Sequence, residues 1–233
     1  MELKYTFTFT DGTKKEFLVK LDNETMHLIR EKEQDPPDWA ALIDFRCPNC
    51  RIDVLKHEFC PVAVNLMELV EFFKGAVSCD KIELLIETEN RSYLKNTDMQ
   101  VGVSSLMGIY MSTSGCPVFE PLKPMVRYHL PFARPEETTY RLITMYLLAQ
   151  YFLQRHGKEP DWQLKKLSDI FSDIFQANQN ICNKLRQVIK EDAIINALVK
   201  LSSAIDFMSF KLDMNILEEI EQYYNAYLTP SNG

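Results

Sequence analysis

Apolar and polar residues alternate along the first segment of the chain, as they do in a strand with one buried face. Over residues 3–10 the odd positions are leucine, tyrosine or phenylalanine, and the even positions are lysine or threonine. An Asp-Gly pair at positions 11–12 follows, and the alternation resumes at Phe17 and Val19. Asp-Gly between two alternating segments predicts a β-hairpin. Residues 82–88 and 92–96 predict a second hairpin, so we expect a small antiparallel sheet.

The second half of the chain has a different period, because its apolar residues recur every three or four positions. Four segments with this pattern are predicted to be helices: Glu136–Arg155, Trp162–Lys190, Asp192–Phe210 and Met214–Leu228. An apolar segment at Val101–Ser112 predicts a further, buried helix that ends near Gly115. The fold class is therefore α+β, with a small antiparallel β-sheet and helices in the N-terminal half and an antiparallel helical bundle in the C-terminal half. We expect a mixed region over residues 1–130 that carries the cysteine motifs, and a helical region over 131–233 that packs by itself or as one domain with the first.

Composition narrows the classes of function. The chain of 233 residues is 46% apolar and contains seven glycines, as expected for an ordered globular protein. It has 33 acidic and 26 basic residues, a net charge of −7, so neither a nucleic acid nor a membrane is an expected partner. The N-terminus lacks a signal-peptide pattern, and no apolar stretch reaches the ~18 residues of a membrane span. We therefore expect a cytoplasmic protein whose cysteines stay reduced.

Four of the six cysteines lie in motifs that are typical of metal or cluster ligands. Cys47 and Cys50 form the C-x2-C pair of CPNC, Cys60 lies in FCPV, and Cys116 lies in SGCP. A C-x2-C turn lets two thiolates reach one centre, and later cysteines complete the coordination. The set therefore predicts a ligand site for a 4Fe-4S cluster with a redox-sensing or structural role, or for zinc in a structural or interaction protein.

His57 offers a second solution for zinc. Cys47, Cys50, His57 and Cys60 follow the spacing C-x2-C-x6-H-x2-C, which is a complete set of four ligands within one loop. Cys116 would then have no role in the site. A further interpretation is that the cysteines are ordinary packing residues, because unmodified cysteine is among the most buried residue types.

Cys60 is predicted at the N-cap of a helix, because it precedes Pro61 and an apolar periodic segment. The partial positive charge at a helix N-terminus favours a thiolate. This position suggests a thiol-dependent enzyme as an alternative function, with Cys60 as the reactive group and His57 or His129 assisting. Arg127 and His129 follow the fourth cysteine closely, and a cation beside thiolate ligands can tune the centre. The simpler interpretation of these two residues is a paired structural arginine and a core histidine.

Five segments in chain order resemble an uncharacterised bacterial protein family that is classed as a domain of unknown function: CPNC, HEFCPVAVNL, SSLMGIYMSTSGCP, MVRYHLPFA and MYLLAQYF. The similarity covers most of the chain. The family pattern combines CPxC, HxxCP and SGCP motifs, and so groups Cys116 with the cysteines of the loop. The resemblance implies a self-contained bacterial cytoplasmic protein, and it implies no activity because none is attached to the family. Protein partner, small ligand and oligomeric state have no signature in the sequence.

Overall fold

The computed structural model describes residues 1–30, 35–189, 192–213 and 216–229. Strands β1 (Glu2–Phe9), β2 (Lys14–Lys20), β3 (Lys81–Thr88) and β4 (Ser92–Asp98) form one antiparallel sheet in the order β2-β1-β3-β4. Both predicted hairpins are confirmed, and Gly12 takes a φ of 84° in the first turn. Pairing of β1 with β3 joins the two hairpins into a single sheet.

Helices provide most of the remaining regular structure. They are α1 (Leu42–Phe45), α2 (Pro61–Phe72), α3 (Met99–Ser112), α4 (Lys123–Arg127), α5 (Pro135–Arg155), α6 (Lys165–Val188), α7 (Asp192–Asp213), α8 (Ile216–Glu221) and α9 (Asn225–Leu228). Short 3-10 helices lie at Asp38–Ala40, Glu120–Leu122 and Gln222–Tyr224. The α+β class is confirmed, and so are the long helices α5, α6 and α7. The fourth predicted helix, Met214–Leu228, is wrong as a single helix, because its described residues form α8, a 3-10 helix and α9. The predicted helix ends at Lys190 and Met214 lie outside the described residues.

One face of the sheet is apolar and is covered by helices. Its buried side chains are Leu3, Tyr5, Phe7, Phe17, Val19, Ile82, Leu84 and Ile86. Helix α2 packs against this face, where the rings of Phe17 and Phe72 meet edge to face with centroids 4.8 Å apart. Helix α3 lies between the two central strands and α7. Because α3 has neighbours on both sides, its sequence is apolar almost all round.

Gly102 allows α3 to lie directly on the central strands. A Cβ atom at this position would be 2.7 Å from Phe7 Cε1 and 2.8 Å from Leu84 Cδ2, which is shorter than van der Waals contact. We expect Gly102→Ala to lower the free energy of unfolding by about 1–3 kcal/mol, because the overpacking exceeds the gain in helix propensity. Urea unfolding followed by circular dichroism measures this change.

Gly108, on the same helix, provides the matched control. A Cβ atom there would lie 3.9 Å from Leu201 Cδ2, which is an ordinary contact. Gly108→Ala should therefore leave the free energy of unfolding unchanged or raise it by up to about 1 kcal/mol. If the two variants were equally stable, the close approach at Gly102 would have no energetic consequence.

The hydrophobic core is continuous between the regions 1–130 and 131–233. It contains residues of the sheet, of α2 and α3, and of α5, α6 and α7. The helical region therefore contributes to the surroundings of any site that the first region forms. Within the described ranges, no helix combines the length and the apolar character that crossing a membrane requires.

Candidate metal centre

The four predicted cysteine ligands come from three places in the fold. Cys47 and Cys50 lie in the loop after α1, Cys60 immediately precedes α2, and Cys116 follows the C-terminal end of α3. The backbone N–H of Cys50 donates to the carbonyl oxygen of Cys47 at 3.0 Å, so CPNC is a closed turn. Gly115 takes a φ of 79° and redirects the chain just before Cys116.

Backbone pairing closes the loop that carries the first three cysteines. Ala41 and Phe59 form an isolated antiparallel bridge, and the N–H of Cys60 donates to the carbonyl oxygen of Ala40 at 2.8 Å. The two ends of the loop therefore lie side by side, and Cys60 lies next to Ala40 where the loop closes. The predicted N-cap position of Cys60, with Pro61 in the first turn of α2, is confirmed.

The four thiols interact with one another across the fold. Each of the other three raises the pKa of Cys47. Cys50 and Cys116 also raise the pKa of Cys60, and Cys50 raises that of Cys116. All six pairs within the set are thus close enough for their charged forms to repel one another.

This convergence is looser than the ligand shell of a single metal ion. Among the described residues, no group of three or more His, Cys, Asp or Glu side chains stands at the mutual distances at which one ion is held. Electrostatic repulsion acts over several ångströms, whereas a zinc–sulfur bond measures about 2.3 Å. The fold therefore brings the thiols into one region without setting them at bonding distance around one point.

Burial dominates the titration of these thiols. It raises the pKa of Cys47 to about 12 and that of Cys60 to about 11, and it also raises the pKa of Cys116. Backbone N–H groups at the start of α2 and in the turn after Cys116 oppose the shift. Burial outweighs them, so Cys47, Cys60 and Cys116 favour the protonated form at neutral pH. This result is contrary to the thiolate that a helix N-terminus alone predicts for Cys60.

Helix α6 packs against the CPNC loop through a single stripe of residues. Asp173, Ala177 and Asn180 are spaced by four and three positions, which places them on one face of the helix. Asn180 Nδ2 lies 3.5 Å from Cys47 Sγ and 3.4 Å from the carbonyl oxygens of the two residues that precede Cys47. The Cys47 thiol donates to the carbonyl oxygen of Ala177 at 3.9 Å.

Asp173 holds the other end of the same loop. Asn49 Nδ2 donates to the Asp173 carbonyl oxygen at 2.8 Å and to its Oδ1 at 3.1 Å, and Arg51 forms an ion pair with Oδ2. Asn49 Oδ1 is buried and has no hydrogen-bond partner within the part of the chain that the structure describes. Buried polar atoms are nearly always paired. Asn49 Oδ1, between Cys47 and Cys50 in the sequence, is therefore an unusual buried acceptor.

His57 and Arg127 lie outside the buried set. His57 is exposed in the cysteine loop, where its backbone N–H donates to the carbonyl oxygen of Asp53. Arg127 is exposed at the end of α4. Of the two remaining cysteines, Cys79 is exposed and Cys182 is buried.

His129 belongs to a separate polar cluster between β1 and α3. Its Nε2 lies 3.1 Å from the Tyr5 hydroxyl and 3.2 Å from Ser105 Oγ, and these two hydroxyls are 2.9 Å apart. Arg141 is held nearby by the carbonyl oxygens of residues 125 and 128. Burial, followed by the charge of Arg141, lowers the pKa of His129 to about 4. The imidazole is therefore neutral at pH 7.

The residues of α6 that contact the CPNC loop were not predicted from the sequence. Asn180 is 133 positions from Cys47, and nothing near CPNC indicates which distant segment covers it. The available signal was a polar residue within the amphipathic pattern of α6, where asparagine is a weak helix former. That signal marks a polar contact but does not identify the partner.

Together these features define an α+β protein in which a loop and two helix ends bring four cysteines into one region, with α6 packed against the loop. Residues 3–227 match the family described as a domain of unknown function, DUF6901, and the chain belongs to this family. The resemblance to a family of unknown function is thereby confirmed. No curated protein and no solved structure matches the chain.

Proposed function

We propose that this protein binds a 4Fe-4S cluster through Cys47, Cys50, Cys60 and Cys116. The observation that carries the proposal is the convergence of these thiols from three separate segments of the chain. A cysteine that serves only packing needs apolar neighbours. Here the charged form of each thiol is disfavoured by the three others, and this shared location supports a group bound by all four.

The surroundings of the thiols suit a cluster. Its potential depends on burial and on hydrogen bonds to the sulfurs. N–H groups face Cys60 from Val62 and Ala63, and a side-chain amide faces Cys47 from Asn180. These groups stabilise thiolate ligands in a buried site. When bound, the cluster supplies one-electron chemistry for redox sensing, or it links the three segments as a structural element.

Zinc bound by the same four cysteines is the second candidate. The closed turn of CPNC supports it, because the C-x2-C turn is a common way to hold one ion. The alternative set with His57 has less support, since this side chain is exposed while Cys116 is partly buried with the other thiols. The thiol-dependent enzyme has less support too, because the raised pKa of Cys60 opposes nucleophilic reactivity.

The proposed compartment is the cytoplasm, where thiols remain reduced and free to bind metal. The net charge of −7 argues against a nucleic acid or an anionic membrane surface as partner. A redox sensor or a structural metal protein is consistent with both properties.

Metal and sulfide analysis of protein purified without oxygen tests the proposal. We expect about four iron and about four sulfide per chain, with broad visible absorption that bleaches on reduction. About one zinc per chain without sulfide would instead support the second candidate. Freshly purified protein that lacks iron, sulfide and zinc, and that takes up none of them on reconstitution, would contradict both.

A further inference from the structure

Asn180 is the side chain of α6 that reaches a sulfur of the cysteine cluster. Its Nδ2 group lies 3.5 Å from Cys47 Sγ, at the distance of an N–H···S hydrogen bond. The same group lies 3.4 Å from the carbonyl oxygens of Phe45 and Arg46, so it also holds the backbone that leads into CPNC. One amide therefore fixes both the position and the polar environment of Cys47.

Two groups of α6 act on Cys47 in opposite directions. The carbonyl oxygen of Ala177 accepts the thiol proton, which favours the protonated state. The amide of Asn180 donates to the sulfur, which favours the thiolate. If Cys47 ligated a metal, its S–H proton would pass to solvent and its sulfur would be a thiolate. The Ala177 carbonyl oxygen would then lose its donor, and the Asn180 amide would make a charge-assisted hydrogen bond to the sulfur.

We propose that Asn180 is a positioning residue that raises the affinity of the cysteine site for metal and tunes the donor strength of Cys47. This inference rests on the proposed function, because it concerns the same four cysteines. The N–H groups facing Cys60 belong to the backbone, whereas the donor on Cys47 can be removed by substitution. Asn180 also makes metal binding in the N-terminal half depend on the docking of α6.

The docking of α6 is secured by a second contact. Asp173, two turns earlier on the same face, binds Asn49 within CPNC and Arg51 just after it. Loss of the Asn180 amide therefore leaves the loop attached to the helix. A change in metal binding can then be separated from loss of the interface.

Titration with Co²⁺ under anaerobic conditions tests the role of Asn180. We expect Asn180→Leu to weaken Co²⁺ binding by about 10- to 100-fold, as for other residues that support metal ligands. We also expect the sulfur-to-cobalt charge-transfer band to move to lower energy, because a thiolate that accepts no hydrogen bond is a stronger electron donor to the metal. Asn180→Asp keeps the size of the side chain and places a negative charge beside the sulfur, so its affinity should fall further. A purely structural role would not move the band.

Asn183→Leu is the matched control, because Asn183 is exposed on the same helix. It should bind Co²⁺ with the affinity and the spectrum of the unmodified protein, and circular dichroism should show that all variants are folded. If the unmodified protein gives no thiolate–cobalt bands, this inference is overturned, whereas the proposed function is decided separately by the iron, sulfide and zinc analysis. If it binds Co²⁺ and both Asn180 variants match it in affinity and band position, the inference alone is overturned.

Discussion

Cys116→Ser is expected to abolish the metal or cluster content of the purified protein while its secondary structure is retained. Cys116 is the proposed ligand that only the fold brings to the loop, so it tests convergence most directly. Metal binding to a complete four-ligand site contributes about 10–16 kcal/mol, and loss of one ligand in four therefore costs roughly 3 kcal/mol or more, over about a hundredfold in affinity. Serine is a poor ligand for iron or zinc, since these centres are held by thiolates. Metal analysis and the visible spectrum measure the loss.

Two substitutions serve as controls for this result. Cys79→Ser removes an exposed cysteine and should leave the metal content unchanged. His57→Ala should also leave it unchanged, because His57 is exposed. The reverse outcome, with metal retained in Cys116→Ser and lost in His57→Ala, would establish the zinc site within the loop. Unchanged metal content in every variant would contradict a centre that uses either Cys116 or His57 as a ligand.

The free energy of unfolding is expected to fall as the pH is lowered from about 6.5 to about 4, because of His129. Its pKa is 6.5 in an unfolded chain and about 4 in the folded protein, so the unfolded state takes up the proton first. The stabilisation from a neutral His129 is complete above pH 6.5 and is lost as the pH falls towards the folded value. A shift of this size corresponds to roughly 3 kcal/mol. Urea unfolding at several pH values measures it.

A histidine substitution isolates this contribution from that of the carboxylates. The pKa values of Asp161, Asp192 and Glu137 are lowered in the fold, so the stability that they contribute is lost at a more acidic pH. His129→Gln should be less stable than the unmodified protein at pH 7 and should show a flatter profile between pH 6.5 and 4.5. His156→Gln, at an exposed position, should keep the original profile. An unchanged slope in His129→Gln would show that other groups cause the pH dependence.

Local patterns predicted most of the secondary structure. The alternation in β1 and β2, with Asp-Gly between them, specifies a hairpin because side chains of a strand point alternately to two faces. The period of α6 specifies a helix for the equivalent reason. The order of the strands was not predictable in this way. Pairing of β1 with β3 joins distant segments, and it depends on their shared burial beneath α2 and α3.

The sequence predicted which residues are candidate ligands, but it did not predict how deeply each one is buried. Cysteine spacing identified Cys47, Cys50 and Cys60 as neighbours, since they lie in one short loop. The same spacing left Cys116 and His57 as competing fourth ligands. Burial separates them, because Cys116 packs against the core while His57 is exposed. Burial depends on the whole fold and is not encoded in the spacing.

The sequence by itself determined both hairpins, the helices α2, α3, α5, α6 and α7, and the N-cap position of Cys60, because each depends on residues within a few positions of one another. Only the tertiary structure decided that α6 covers CPNC and that Asn180 donates to Cys47. It also decided that His129 lies in a separate cluster with Tyr5. It also decided that the pKa of Cys60 is raised, because burial outweighs the helix N-terminus. These properties arise from contacts between segments far apart in the chain, and such contacts are selected by the packing of the complete core.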